Sequence, residues 1–223
     1  MSAVAIDGPR VAPASGGKPD YLVILSHGYG ADGNDLIALA PYWQQLLPGA
    51  AFVAPNAPER CEMSPIGYQW FGITGLDPDT LYQGVTRAAP TLDAFIDREL
   101  ERAGLDESRL ALVGFSQGTM MSLHVGLRRA KAPAAILGFS GALAGPEQLA
   151  AEMRVKPPVM MIHGDSDDML PVTMMHNAVQ ALGQAGLEVQ WHVSPGIGHG
   201  IGPDGLELGG AFVSDKLLRA TSG

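Results

Sequence analysis

The chain has 223 residues, 46% of them hydrophobic, which is enough for one sizeable α/β core or at most two small ones. Its net charge of −9 and pI near 5.0 exclude a nucleic-acid surface, because 14 scattered Lys and Arg cannot form the basic stripe that phosphates require. One cysteine, Cys61, excludes an internal disulfide; with no run of about 18 apolar residues and no secretory pattern in MSAVAIDGPRVAP, the expectation is a cytoplasmic protein without stable membrane insertion.

Short apolar runs alternate with amphipathic stretches. The first expected strand, 21–26 (YLVILS), runs into the glycine-rich HGYGADGND and then a helix over 34–47. A strand at 50–54 leads into a long loop, 55–79, which carries Met63, Tyr68, Trp70, Phe71 and Ile73. Loops of that length in compact domains are often functional. A helix over 84–103 follows, with core spacing in Val85, Leu92, Phe95, Ile96 and Leu100. Strand 109–113 meets helix 117–131 at Gly114-Phe115-Ser116-Gln117-Gly118. Then come strand 134–139, a short segment 140–157, strand 158–162, helix 171–186, strand 188–193 and helix 205–220. Continuously apolar strands with helices between them imply a mostly parallel sheet covered on both faces. No internal repeat or linker divides the chain, so one domain over 1–223 is expected.

Gly28, Gly30 and Gly33 form a G-x-G-x-x-G, but the acidic residue of a dinucleotide fingerprint is missing downstream, where the chain reads FVAPNAP. With 29 glycines in the chain, such a match is cheap. No nucleotide and no other cofactor is expected.

The G-x-S-x-G around Ser116 is a weak pattern alone, but its place between strand and helix strengthens it. Glycines flanking the serine relieve crowding in a tight strand-to-helix turn, and the hydroxyl would stand at a helix N-terminus that favours developing negative charge. A serine nucleophile needs a base, and the base an acid. Of six histidines, His27 and His163 end strands in HG pairs, where a local hydrogen bond is the simpler role; His124, His176 and His192 lie within helices or a strand. His199 stands apart in SPGIGHGIG, a loop after the last strand whose small residues leave its ring free to reach across the sheet, and is the candidate base. The acid should follow a late strand, and HGDSDDMLP offers Asp165, Asp167 and Asp168. Their spacing lacks the glycine and terminal glutamate of a calcium loop, so no metal is expected. The chain order is serine, aspartate, histidine.

The segments VILSHGYGADGNDL, QWFGI, LVGFSQGTMMSLH, GFSGAL, IHGDSDDMLP and GIGHGIGPDGLELGGAFV together resemble the phospholipase/carboxylesterase family of small α/β-hydrolases, which includes acyl-protein thioesterases. The resemblance covers about residues 21–213. It implies an α/β-hydrolase fold without a lid domain, Ser116 as nucleophile, Asp167 and His199 as its partners, and an oxyanion hole from the backbone N–H groups of Tyr29 and Gln117. The resulting expectation is a serine carboxylic-ester hydrolase for short to medium acyl esters, acting on a small or lipid-like ester. An acyl-protein thioesterase or lysophospholipase is the neighbouring alternative, and a non-catalytic α/β binding module the alternative of another class. Trp70, Phe71, Ile73, Met169 and Ile197 are candidates for an apolar wall around the acyl chain, against ordinary core packing for each. A homodimer is compatible with this reading.

Overall fold

The computed structural model describes residues 4–73 and 75–220. Seven strands form one sheet: β1 (Arg10–Val11), β2 (Tyr21–Ser26), β3 (Ala50–Val53), β6 (Leu110–Phe115), β7 (Ala135–Phe139), β8 (Val159–Gly164) and β9 (Val189–Ser194). Their order is β1-β3-β2-β6-β7-β8-β9, all neighbours parallel except the antiparallel β1–β3 edge. Two short strands, β4 (Glu59–Arg60) and β5 (Tyr68–Gln69), pair separately as a hairpin within the long loop.

Every residue of β2, β7 and β8 is buried, as expected for parallel strands covered on both faces. Leu22, Ile24, Leu112, Ile136 and Met161 pack with Leu92, Phe95 and Ile96 of α3 (Pro78–Ala103) on one face. Val23, Leu25, Val113, Leu137 and Phe139 pack with Trp43, Phe212 and Val213 on the other. Burial of each large side chain contributes roughly 1.5–3 kcal/mol. Trp43 comes from α2 (Ala40–Trp43), and Phe212 and Val213 from α7 (Pro203–Arg219).

The remaining helices are α1 (Gly33–Ile37), α4 (Gln117–Gly126), α5 (Leu149–Glu152) and α6 (Thr173–Gln184), with a 3₁₀ turn at Glu107–Arg109. The helix expected over 34–47 is two short pieces, because Pro41 has no N–H for the Ile37 carbonyl and its ring crowds the preceding turn. The helix expected from residue 84 begins at Pro78, where Asp77 accepts from the Thr80 N–H at 2.9 Å. It ends on Gly104, whose φ of 68° suits a left-handed helix cap. The helix expected over 117–131 stops at Gly126; beyond it Arg129 is buried against Asp93, Asp97 and Glu107. The segment between β7 and β8 holds only the one-turn α5, so no lid domain is inserted there. Among the described residues, no helix is long and apolar enough to cross a membrane.

Candidate active site

Ser116, Asp167 and His199 follow the carboxyl ends of β6, β8 and β9, at one edge of the sheet. Ser116 has φ 53° and ψ −116°, a conformation that costs a non-glycine residue roughly 1–3 kcal/mol. Its N–H bonds to the Phe139 carbonyl at 2.9 Å, and Thr119 Oγ1 donates to the carbonyls of Gly114 and Phe139 at 2.9 and 2.8 Å. The flanking glycines are required by crowding. A Cβ on Gly118 would stand 1.9 Å from the Ser26 carbonyl oxygen, and one on Gly114 would stand 2.3 Å from the Gly118 carbonyl oxygen. A Cβ on Gly28 would lie 3.2 Å from Ser116 Cβ, which sets the glycine-rich loop directly beside the serine. Among the described residues, the backbone N–H groups of Tyr29 and Gln117 have no hydrogen-bond acceptor, whereas those of Gly30 and Ala31 do.

The Gln117 side chain is fully buried and clamps the long loop to this turn. Its Oε1 accepts from the Trp70 N–H at 2.9 Å, and its Nε2 donates to the Phe71 carbonyl at 2.8 Å. Trp70 Nε1 in turn donates to the His27 carbonyl at 3.0 Å. Trp70 and Phe71 are each only 1% exposed and belong to the core; the Phe71 ring occupies the space a Cβ on Gly84 would need. The expectation that these two rings present an open wall to an acyl chain is therefore corrected: their backbone and ring contacts commit them to packing. Ile73 and Ile197 are half-buried, and Met169 is exposed.

Asp167 is buried and fully engaged. Oδ1 accepts from the N–H groups of Met169 and Leu170 at 3.0 and 2.9 Å, and Oδ2 lies 2.7 Å from His199 Nδ1. Burial alone would raise this carboxyl; the Leu170 N–H, His199 and the Met169 N–H outweigh it and hold the group below the ordinary carboxylate value. Asp168 is exposed. Asp165 accepts from the Gly196 N–H at 2.7 Å, and the Ser166 N–H donates to the Ile197 carbonyl at 3.0 Å. These bonds stitch the aspartate loop to the histidine loop. Ser140, another non-glycine residue at positive φ (44°), donates from Oγ to the Gly200 carbonyl at 3.1 Å and steadies the far side of His199. The Phe115 ring lies 5.0 Å from the His199 ring.

The other histidines have partners of their own. His27 Nδ1 donates to the Gly28 carbonyl and its Nε2 accepts from the Ala57 N–H. His192 pairs with Asp204 at 2.7 Å, and His124 and His176 meet the rings of Tyr82 and Trp191. Sequence reasoning missed His163 as a neighbour of Asp167: its Nε2 lies 3.1 Å from Asp167 Oδ2. The i,i+4 spacing at a strand end was the available signal.

A cavity of about 320 Å³ opens beside His199, lined by Leu36, Leu39, Phe115, Ile201 and Gly200, with Asp35 also on its wall. Among the described residues, no group of three or more His, Cys, Asp or Glu could hold a metal ion.

Comparisons with known proteins bear on the family and the fold. Residues 8–215 match the family model described as Phospholipase/Carboxylesterase. Acyl-protein thioesterase 1 of Gibberella zeae is 31% identical over 228 residues, covering 94% of this chain and 95% of that protein. Esterase YpfH of Escherichia coli is 26% identical over 185 residues, covering 82% of this chain and 78% of that protein. The crystal structure of esterase PE8 superposes with a TM-score of 0.92 at 43% identity, over 96% of this chain and 100% of that one. By the extent of the family match and the likeness to these relatives, the chain belongs to the phospholipase/carboxylesterase family, whose members hydrolyse esters on an α/β-hydrolase fold.

Proposed function

We propose that the chain is a serine carboxylic-ester hydrolase for short to medium acyl esters, working through an acyl-enzyme. The observation that carries this reading is the 2.7 Å contact of His199 Nδ1 with a buried, ionised Asp167, at the same sheet edge as a strained Ser116. With Nδ1–H donated to Asp167, the Nε2 of His199 keeps its lone pair for a proton. Ser116 Oγ attacks the ester carbonyl carbon while Nε2 takes the hydroxyl proton. The oxyanion is stabilised by the free N–H groups of Tyr29 and Gln117 and by the N-terminal end of α4. His199 then returns the proton to the departing alcohol. Water attacks the acyl-enzyme with the same histidine as base, and the acid leaves.

The leaving oxygen must meet Nε2–H, so the alcohol part of the ester lies on the histidine side. The cavity lined by Leu36, Leu39, Phe115 and Ile201 is its natural place. Ile73, Met169 and Ile197 remain candidates for the acyl side. No step uses a cofactor, and one domain in the cytoplasm suffices for the chemistry. A thioester substrate is the second reading, favoured by the 31% identity to a protein named acyl-protein thioesterase 1. Fluorophosphonate labelling, with Ser116→Ala as control, tests the mechanism, and wild-type protein that takes no label would sink it. p-Nitrophenyl esters of rising chain length beside an acyl thioester test the substrate class.

A further inference from the structure

We propose that His163 is a positioning residue for this reaction, holding the Asp167 carboxylate in register with His199. The inference rests on the Ser116–His199–Asp167 reading above. The side chains of His163 and Asp167 have no exposed surface. His163 Nε2 lies 2.7 Å from the Leu170 carbonyl oxygen and 3.1 Å from Asp167 Oδ2. Both neighbours are acceptors, so the proton sits on Nε2 and is donated to Leu170. Nδ1 is buried and meets no hydrogen-bonding partner among the described residues, so the ring is held from one side only, by the turn it serves.

Leu170 is thereby gripped at both ends. Its carbonyl receives the His163 proton, and its N–H donates to Asp167 Oδ1 at 2.9 Å. The turn 167–170 closes on itself through the histidine. The His163 Nε2–H also lies beside Oδ2, the oxygen that faces His199, and fixes where that oxygen sits. His27, in the chain's other HG pair, makes a useful contrast. Both its nitrogens are taken by backbone groups, those of Gly28 and Ala57. Of the two other aspartates in the same turn, Asp165 accepts from the Gly196 N–H and Asp168 is exposed.

His163→Leu removes the N–H while keeping an apolar side chain of similar bulk; His163→Gln keeps an amide N–H near the Nε2 position. Both are measured with a neutral p-nitrophenyl ester, with melting temperature and fluorophosphonate labelling recorded alongside. A misplaced acid should lower kcat of the leucine variant about 10- to 100-fold with KM changed less than about twofold. Out of register, the Asp167 carboxylate stabilises the imidazolium less, so the acid limb of kcat/KM should move down by a few tenths of a pH unit. The glutamine variant should recover kcat to within about threefold of wild type and return the limb. A folded leucine variant with undiminished kcat overturns the proposal. So does a loss shared equally by both variants with the limb unmoved, which would mark ordinary packing. Wild-type protein that resists fluorophosphonate sinks the mechanism itself, a failure distinct from either.

Discussion

Replacing Asp167 by asparagine should disable the base without moving it, and the geometry dictates how. Oδ1 accepts two backbone N–H groups, from Met169 and Leu170. The asparagine must therefore put its carbonyl oxygen at that position, which turns its NH₂ toward His199 Nδ1 and His163 Nε2. A donor now faces Nδ1 at about 2.7 Å, so His199 is driven to the tautomer that carries its proton on Nε2. In that form it cannot take the proton from Ser116. Loss of the tautomer in comparable triads costs about 10⁴ in kcat, or about 5.4 kcal/mol of transition-state stabilisation. The expected result is a kcat lowered about 10³- to 10⁴-fold, with KM little changed. Asp168→Asn, at an exposed carboxylate, should cost less than about tenfold. Steady-state kinetics on p-nitrophenyl butyrate, with far-UV circular dichroism to check the fold, separates the two. The reasoning is refuted if Asp167→Asn stays within tenfold of wild type, or if Asp168→Asn carries the larger loss.

Gly118→Ala should cripple folding, because its Cβ would stand 1.9 Å from the Ser26 carbonyl oxygen; a soluble variant melting within a few degrees of wild type would contradict the crowding argument. Gln117→Ala strips the Trp70 N–H and Phe71 carbonyl of their buried partners and should cost about 2–4 kcal/mol in urea unfolding. Ile201→Trp should fill the cavity beside His199 and raise KM for esters of bulky alcohols while sparing methyl esters; an equal effect on both would move the alcohol elsewhere. Burial first, and the Arg128 charge second, push the His124 imidazole down to about 4. Its unfolded form binds a proton below about 6.5, so the stability it contributes is present above that pH and is lost toward pH 4, on the order of 3 kcal/mol. His124→Phe should flatten the stability–pH slope across that window, and an unchanged slope in urea titrations would exclude the histidine as its source.

The sheet was legible because parallel strands buried on both faces read as unbroken apolar runs, and six of its seven strands lie close to the expected ranges. β1 was not, since two residues cannot show a period. The β4–β5 hairpin was hidden for the same reason, inside a loop whose residues are held by Gln117 more than by their own pattern. Ser116 and His199 were singled out as candidates by small neighbours and position after strands. Asp167 was preferred over Asp165 and Asp168 as the proposed acid by resemblance, because three aspartates in one turn differ in direction and not in pattern. The burial of Trp70 and Phe71 depends on tertiary partners, Gly84 and the His27 carbonyl, that no local window contains.

On the proposed mechanism, the backbone at Ser116 sets stability against activity at a single codon. At φ 53° and ψ −116°, glycine would adopt the turn without the strain that serine bears. A population of variants screened for heat resistance alone should therefore drift to glycine at position 116, gaining up to a few kcal/mol and losing the hydroxyl. Engineering of this scaffold for industrial temperatures has to couple every thermal screen to turnover, or the screen will erase the enzyme while improving the protein.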